Sequence, residues 1–285
     1  FATVPTVDPV TGRTGDLLAE SRATGTVPKL MILNSSTDYW TRAASLLHTT
    51  VDGESDVDID PRVRIYAIAG RAHVEGRLAY VARALLVALD EWVSLDRQPP
   101  PSAVPTIADG TLVDFVSWQN AFPEIPEAIV PSGFYAPPRL DPGPRWRTDG
   151  IADTVPPSVG PPFVTLVPQV DADGNELAGI RLPEIVVPTA THTGWSQRNP
   201  QFSNSLRRNS GRTWAFPVDP DERTRSEDPR RSITERYPSR AAFIAASLHT
   251  ILDLHRGRLL LDADAIALIE ETLSRAEAIP ETPPT

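Results

Sequence analysis

The sequence predicts an α/β fold: part of a parallel sheet with its helices, then an irregular proline-rich region containing some strand, then two closing helices. Three observations lead there. Between residues 28 and 98 short apolar runs alternate with helical patterns, as in a parallel sheet with crossover helices. From residue 97 to 162 prolines recur closely enough to hold the backbone extended and forbid long helices. From Arg240 onward apolar residues return to helical spacing.

Lys29 to Leu33 (KLMIL) is the first apolar run and reads as a buried parallel strand. Tyr39 to Thr49 follows as a helix, with Trp40, Ala43, Ala44 and Leu47 on one face and Ser36 or Thr37 as its cap. Asp52-Gly53 and the acidic run to Asp60 form an exposed turn. Val63 to Ala69 (VRIYAIA) is the second strand, ended by Gly70. Leu78 to Val93 is a helix too apolar on most faces to face solvent, so it should pack on the sheet. In the proline-rich crossing, Val113, Phe115, Trp118, Phe122, Ile125 and Phe134 require burial, which argues for ordered structure over a flexible linker. Phe163 to Val170 and Glu176 to Leu182 read as a hairpin about the turn Asp171-Ala172-Asp173-Gly174-Asn175. Residues 198 to 240 mix both charge signs. Helices from Arg240 to Leu254 and from Asp262 to Ala278 close the chain before a proline-rich tail at Pro280. Three regions result: 1–98 as α/β core, 99–239 as an irregular lid or pocket wall, and 240–285 as closing helices and tail. No internal repeat is present.

The composition narrows the function. With 285 residues and 40% hydrophobic content the chain has material for a real core. No apolar run approaches the roughly 18 residues of a membrane helix, and the start lacks the basic-then-apolar build of a secretory leader. The expectation is a soluble globular protein; compartment and oligomeric state are not assigned. The chain opens with Phe1 and its first residues read as loop leading to strand, so it is expected to be the later part of a longer polypeptide. The absence of cysteine excludes disulfides, thiolate metal sites and a cysteine nucleophile. A net charge of -10 and a pI near 5.0 oppose nucleic acid and anionic membranes as partners. Lys29 is the sole lysine, which points to a GC-rich genome.

The chemistry concentrates at two strand ends. Parallel sheets present their functional groups at the carboxyl ends of their strands. Asn34-Ser35-Ser36-Thr37-Asp38-Tyr39-Trp40 follows the first strand, and Ala69-Gly70-Arg71-Ala72-His73 follows the second. Asp38 and His73 can therefore meet. An imidazole oriented by a buried carboxylate is what activates a serine nucleophile, because the carboxylate fixes the tautomer and stabilises the imidazolium.

These segments also carry a resemblance. PKLMILNSSTDYWTRAASLLHT from Pro28, VRIYAIAGRAH from Val63, RALLVALDEWV from Arg83 and PPPSAVPTIADGTLV from Pro99 are similar to a bacterial family described as alpha/beta hydrolase domain-containing. So are Thr11-Gly12 with Asp16-Leu17-Leu18, VDADGNELAGIRLPEIVVPTATHTGW from Val170 and DPRRSITERY from Asp228. The resemblance spans almost the whole chain. It implies a serine hydrolase of esterase type acting on an ester or related acyl bond of a small molecule, without cofactor or metal. The chain would be the carboxyl-terminal part of its α/β-hydrolase core. Asp38 would be the acid, His73 the histidine, and the nucleophile of a G-x-S-x-G-type elbow would lie upstream of Phe1, because serine precedes acid and histidine in such chains. The chain alone would then be inactive. Two departures are visible: the family more often has the longer Glu where Asp38 stands, and it carries a longer insertion between the histidine and the RALLVAL helix.

Each feature also has a plainer reading. Asp38 fits a helix cap or first-turn acid, and His73 a surface loop. Of the five histidines, His48, His192, His249 and His255 are weaker candidates. Gly194-Trp195-Ser196-Gln197-Arg198 lacks the second glycine of an elbow, so Ser196 is disfavoured as nucleophile; Thr191 to Trp195 reads as pocket wall or core. Asp171 to Asn175 lacks the glycine and closing Glu of a calcium loop and reads as a turn. The arginines between Arg198 and Arg240 could bind an anion, but their interleaved acids favour ion pairing. The apolar faces of the last two helices read as core or a subunit contact. A pocket rimmed by Trp40, Trp195 or Trp214 would favour an apolar or aromatic acyl group. The alternative to an enzyme is a non-catalytic binding or scaffold protein that keeps the fold without the chemistry.

Overall fold

In the computed structural model, which describes residues 2–281, the two apolar runs near Leu30 and Val63 become neighbouring parallel strands. Phe1 and the end of the expected tail, residues 282–285, lie outside the described residues. The chain enters through a small antiparallel ribbon, β1 (Thr6–Val7) with β2 (Thr14–Gly15), and a short helix α1 (Ala19–Ala23). β3 (Leu30–Ser35) follows, then helix α2 (Ser36–Thr41) and a 3-10 turn at Ala44–Leu47. β4 (Val63–Ile68) pairs with β3 in parallel, from Leu30 opposite Val63 to Ser35 opposite Ile68. Val63, Ile65, Tyr66 and Ile68 are buried, as a strand covered on both faces requires.

The parallel sheet is narrower than expected. Among the described residues every sheet is two-stranded. The far edge of β4 receives single parallel bridges from Ala103 and Ile180: the Ala67 amide donates to the Ala103 carbonyl at 2.8 Å, and the Ile180 amide donates to the Ala67 carbonyl at 2.7 Å.

The helix expected from Tyr39 to Thr49 is two elements. Its cap is Ser35, one residue before the expected ones, and Ala43 adopts a left-handed conformation (φ 57°) that separates α2 from the 3-10 turn. Such a conformation is costly for a residue with a Cβ and stops helical propagation. Helix α3 (Leu78–Leu95) forms as expected and buries Val81, Ala84, Leu85, Ala88 and Trp92. Leu86, Val87, Val93 and Leu95 stand exposed, which corrects the expectation that most of its faces are covered: a two-stranded sheet covers a single stripe.

The proline-rich crossing is ordered. It contains β5 (Leu112–Val113), α4 (Phe115–Ala121), β6 (Pro138–Asp141), α5 (Trp146–Asp149), β7 (Ser158–Pro162) and β8 (Val167–Pro168). Asp114 caps α4 by accepting from the Val116 and Ser117 amides. β6 pairs with β7, and β8 pairs with β5, both antiparallel. The expected hairpin about residues 171–175 shrinks accordingly to a turn closed by one bridge, Val170 with Glu176, because its first arm pairs with β5 and its second reaches β4 through Ile180. Trp118, Phe122 and Ile125 are buried with Trp40 and Trp195, and Val113, Phe115 and Phe134 pack against them. Trp40 and Trp118 meet edge to face at 4.7 Å between ring centroids. Crossing and core are thus joined through α2.

Past the crossing come α6 (Pro183–Val186), β9 (Ala190–Thr193) paired antiparallel with β10 (Arg212–Ala215), and the short helices α7 (Pro220–Ser226) and α8 (Ile233–Arg236). α9 (Arg240–Arg256) and α10 (Asp262–Ala276) close the fold; Ile251, Leu260 and Leu268 bury against Tyr66, Ile68 and Leu85. No helix among the described residues is long and apolar enough to cross a membrane.

His48, just after the 3-10 turn, is buried, with Nε2 2.9 Å from the Tyr39 hydroxyl and Nδ1 unpartnered. Burial pushes its pKa down to about 4, so the folded chain holds it neutral. The unfolded chain protonates near the ordinary value of 6.5. Stability from this group is therefore present above that value and lost as pH falls toward 4, by about 3 kcal/mol. His48→Gln, which keeps an acceptor for Tyr39, is expected to flatten the wild-type fall in urea midpoint over that range. An unchanged slope would assign the acid sensitivity to other groups.

Candidate active site

The carboxyl ends of β3 and β4 lie side by side, and each leads directly into one candidate residue. At the end of β3, Ser35 is extended and serves as N-cap of α2, which places Asp38 at the third helical position. Asp38 Oδ2 accepts from the Ser35 amide and the Ser35 hydroxyl, both at 2.7 Å, in a reciprocal capping box. That occupies one carboxylate oxygen. Oδ1 is buried without an aligned hydrogen bond, and His73 Nδ1 stands 2.9 Å from it. The capping reading of Asp38 is met at Oδ2, while Oδ1 faces His73.

At the end of β4, Gly70 turns the chain at φ 64°, where a Cβ would fall 2.6 Å from Ile185 Cδ1 and 2.9 Å from the His192 carbonyl oxygen. The turn delivers Arg71, Ala72 and His73 back over α2. Thr37 receives them: its amide donates to the Arg71 carbonyl at 3.2 Å, and its hydroxyl oxygen accepts from the His73 amide at 3.1 Å while donating to the Gly194 carbonyl. Gly194 has to be glycine, since a Cβ would fall 2.0 Å from Ser36 Oγ. Arg42 Nη1 approaches Asp38 Oδ1 at 3.3 Å from the solvent side.

The two side chains differ in exposure. The Asp38 side chain is 7% exposed and that of His73 43%. The carboxylate is buried and the imidazole faces solvent.

Beneath the pair lies a carboxylate that sequence reasoning missed. Glu176 is buried; Oε1 accepts from the Ser36 hydroxyl and Oε2 from the Gly70 amide at 2.9 Å. Burial drives its pKa up to about 7, against the lowering effect of those two hydrogen bonds. Its only sequence signal was an acid directly after a turn, which looks like any solvated turn residue. Nearby, Arg71 is 2% exposed and pairs with Glu184 of α6 and with Glu75.

A cavity of about 650 Å³ opens beside the same loop, lined by Arg71, Ala72, Glu75, His192, Ser210 and Arg212 among others. Its wall is polar. Trp40 and Trp195 are core, 1% and 2% exposed, and Trp214 packs against them. None of the three lines this cavity, so the condition of a tryptophan-rimmed pocket is not met there; Trp195 and Trp214 centroids lie 5.5 Å apart.

The remaining candidates have structural partners. Ser196 is buried, and its carbonyl accepts from the Arg207 amide. His192 Nδ1 is 3.2 Å from the Thr213 hydroxyl, His249 pairs with Asp253, and His255 with Asp262. Asp171 Oδ1 accepts from the Asp173 and Asn175 amides, and Asp173 pairs with Arg236. Arg223 pairs with Glu235, and Arg230 with Asp228. Among the described residues, His73 is hydrogen-bonded or paired to Thr37 and Asp38 and to no serine.

Compared with known proteins, the sequence matches one family model, described as alpha/beta hydrolase domain, over residues 75–270, more than half of the chain. The matched span begins just past His73. No curated protein and no solved structure matches the chain.

Proposed function

Because the chain belongs to the alpha/beta hydrolase domain family, we propose that it carries the general base and the orienting acid of a serine-dependent hydrolase acting on an ester or related acyl bond of a small molecule. The observation that supports this most is the 2.9 Å approach of His73 Nδ1 to Asp38 Oδ1 at the carboxyl ends of adjacent parallel strands. In this reading His73 Nε2 takes the serine proton as the nucleophile attacks the acyl carbon. It then returns that proton to the leaving alkoxide, and repeats the exchange with water. Asp38 holds the Nδ1–H tautomer and stabilises the imidazolium.

The serine itself is proposed to come from a segment outside the described residues. Ser35 and Ser36 donate to Asp38 and Glu176 and are fixed by those bonds, and Ser196 has no bond to a histidine among the described residues. The 285 residues alone are accordingly expected to show no ester turnover.

Fluorophosphonate labelling of the full-length gene product, followed by peptide mapping, tests this. The expected result is one modified serine outside residues 2–281, with labelling lost in His73→Ala. A label on Ser196, or no label under conditions where a control esterase reacts fully, would move the assignment to a different nucleophile or to a binding protein with a hydrolase-like fold.

A further inference from the structure

The site has a buried carboxyl group that the proposed chemistry does not use. Glu176 reaches it on the turn after β8, from neither of the strands that carry Asp38 and His73. It gives one oxygen to each strand end: Oε1 to Ser36, the first residue of α2, and Oε2 to the amide of Gly70, the turn that leads to His73. Burying a carboxylate is costly, and here the cost is offset by the two donors it accepts from. An apolar side chain would leave both donors unsatisfied and the two strand ends untied.

We propose that Glu176 is a positioning residue of the Asp38–His73 pair, holding the helix that carries the acid and the turn that carries the histidine at a fixed separation. The remaining ties across the gap are few and run through Thr37: a long contact from its hydroxyl to the Arg71 carbonyl at 3.4 Å, and the shorter bonds from the Thr37 amide to the Arg71 carbonyl at 3.2 Å and from the His73 amide to the Thr37 hydroxyl at 3.1 Å. Even these shorter bonds are near the long end of the hydrogen-bond range. Glu176 acts one residue before Thr37 and one before Arg71, at the base of these bonds. Its removal lets α2 shift relative to the Gly70 turn, and Asp38 Oδ1 loses its place opposite Nδ1. The consequence for turnover rests on the hydrolase reading; the geometry does not.

The variants separate positioning from bulk packing. In Glu176→Gln the amide oxygen still accepts from Gly70 while the amide nitrogen donates to Ser36 Oγ, whose hydroxyl can rotate to accept, so the tie is kept. Glu176→Leu fills the space and cuts it. Ser36→Ala cuts one half with a smaller perturbation. The readout is the ratio of Nδ1–H to Nε2–H tautomer at His73, from long-range ¹H–¹⁵N spectra of the ¹⁵N-histidine-labelled chain. His73→Gln supplies the assignment and Asp38→Asn the value without the acid.

Glu176→Gln is expected to stay within twofold of wild type. Glu176→Leu should lower the ratio about fivefold or more toward the Asp38→Asn value, and Ser36→Ala should lower it in the same direction. A folded Glu176→Leu with the wild-type ratio overturns the proposal. Should Glu176→Leu fail to fold, an unchanged ratio in folded Ser36→Ala overturns it. Because this measurement needs no substrate, a full-length protein without turnover whose ratio still falls in Glu176→Leu would sink the hydrolase reading and leave the positioning role standing.

Discussion

His73→Ala in the full-length protein is expected to lower kcat for an ester by roughly 10⁴-fold or more, with little change in KM. The side chain is 43% exposed, so its loss should barely move the thermal midpoint. Asp38→Asn is the more informative partner. The capping box fixes Oδ2 as an acceptor from Ser35, so an asparagine there keeps its oxygen in the cap and turns its amide nitrogen toward His73 Nδ1. Two donors cannot face each other, and the imidazole shifts to the Nε2–H tautomer, which cannot accept a serine proton. A loss of roughly 10⁴-fold is expected, with the cap and the fold preserved. Turnover within tenfold of wild type in both variants, measured beside thermal midpoints, would remove Asp38 and His73 from the chemistry.

The two strand ends could be found from sequence because the physics there is local. LMIL and VRIYAI are short, mainly apolar runs and both become strands, but only the second is buried as expected: Leu30, Met31 and Ile32 are half-buried and Leu33 is exposed, because β3 pairs on one side only among the described residues. The polar residues that follow each run fall at the strands' carboxyl ends. Asp38 and His73 stood out for that reason. What failed depended on distant partners. Val167–Pro168 has the pattern of a hairpin arm, but its hydrogen bonds go to Leu112–Val113, and no local pattern reports a partner so far along the chain. Ala43 interrupts the helix with a left-handed conformation that its own residue type disfavours. Periodicity marks Trp40 and Trp195 as apolar without saying whether each meets substrate or another ring; in the fold they meet other rings. Glu176 was invisible for a related reason: its burial is created by Ser36 and Gly70, more than 100 residues away.

The same logic gives the largest stability prediction, at the ion pair under the histidine loop. Arg71 is 2% exposed, and burial pushes its pKa down, so its charge is maintained at a cost. Glu184, 3% exposed, is its buried partner, while Glu75 contacts it from a half-buried position and Arg77 lies 3.6 Å from Glu184. Removing the carboxylate in Glu184→Ala leaves a buried guanidinium with one solvent-screened acid, and a loss of about 3 kcal/mol or more in urea unfolding is expected. Arg71→Met combined with Glu184→Leu removes both charges and fills the space, and should recover most of that loss. A double variant as unstable as the single would mean that packing by these side chains, not the unpaired charge, sets the cost. The comparison also bears on the site. The Arg71 carbonyl, not its side chain, accepts from Thr37, and the Asp38–His73 contact uses neither member of the ion pair. A recovered double variant should therefore keep the His73 tautomer ratio of wild type. The ion pair would then anchor the loop to α6, while Glu176 and Thr37 set the geometry at its tip.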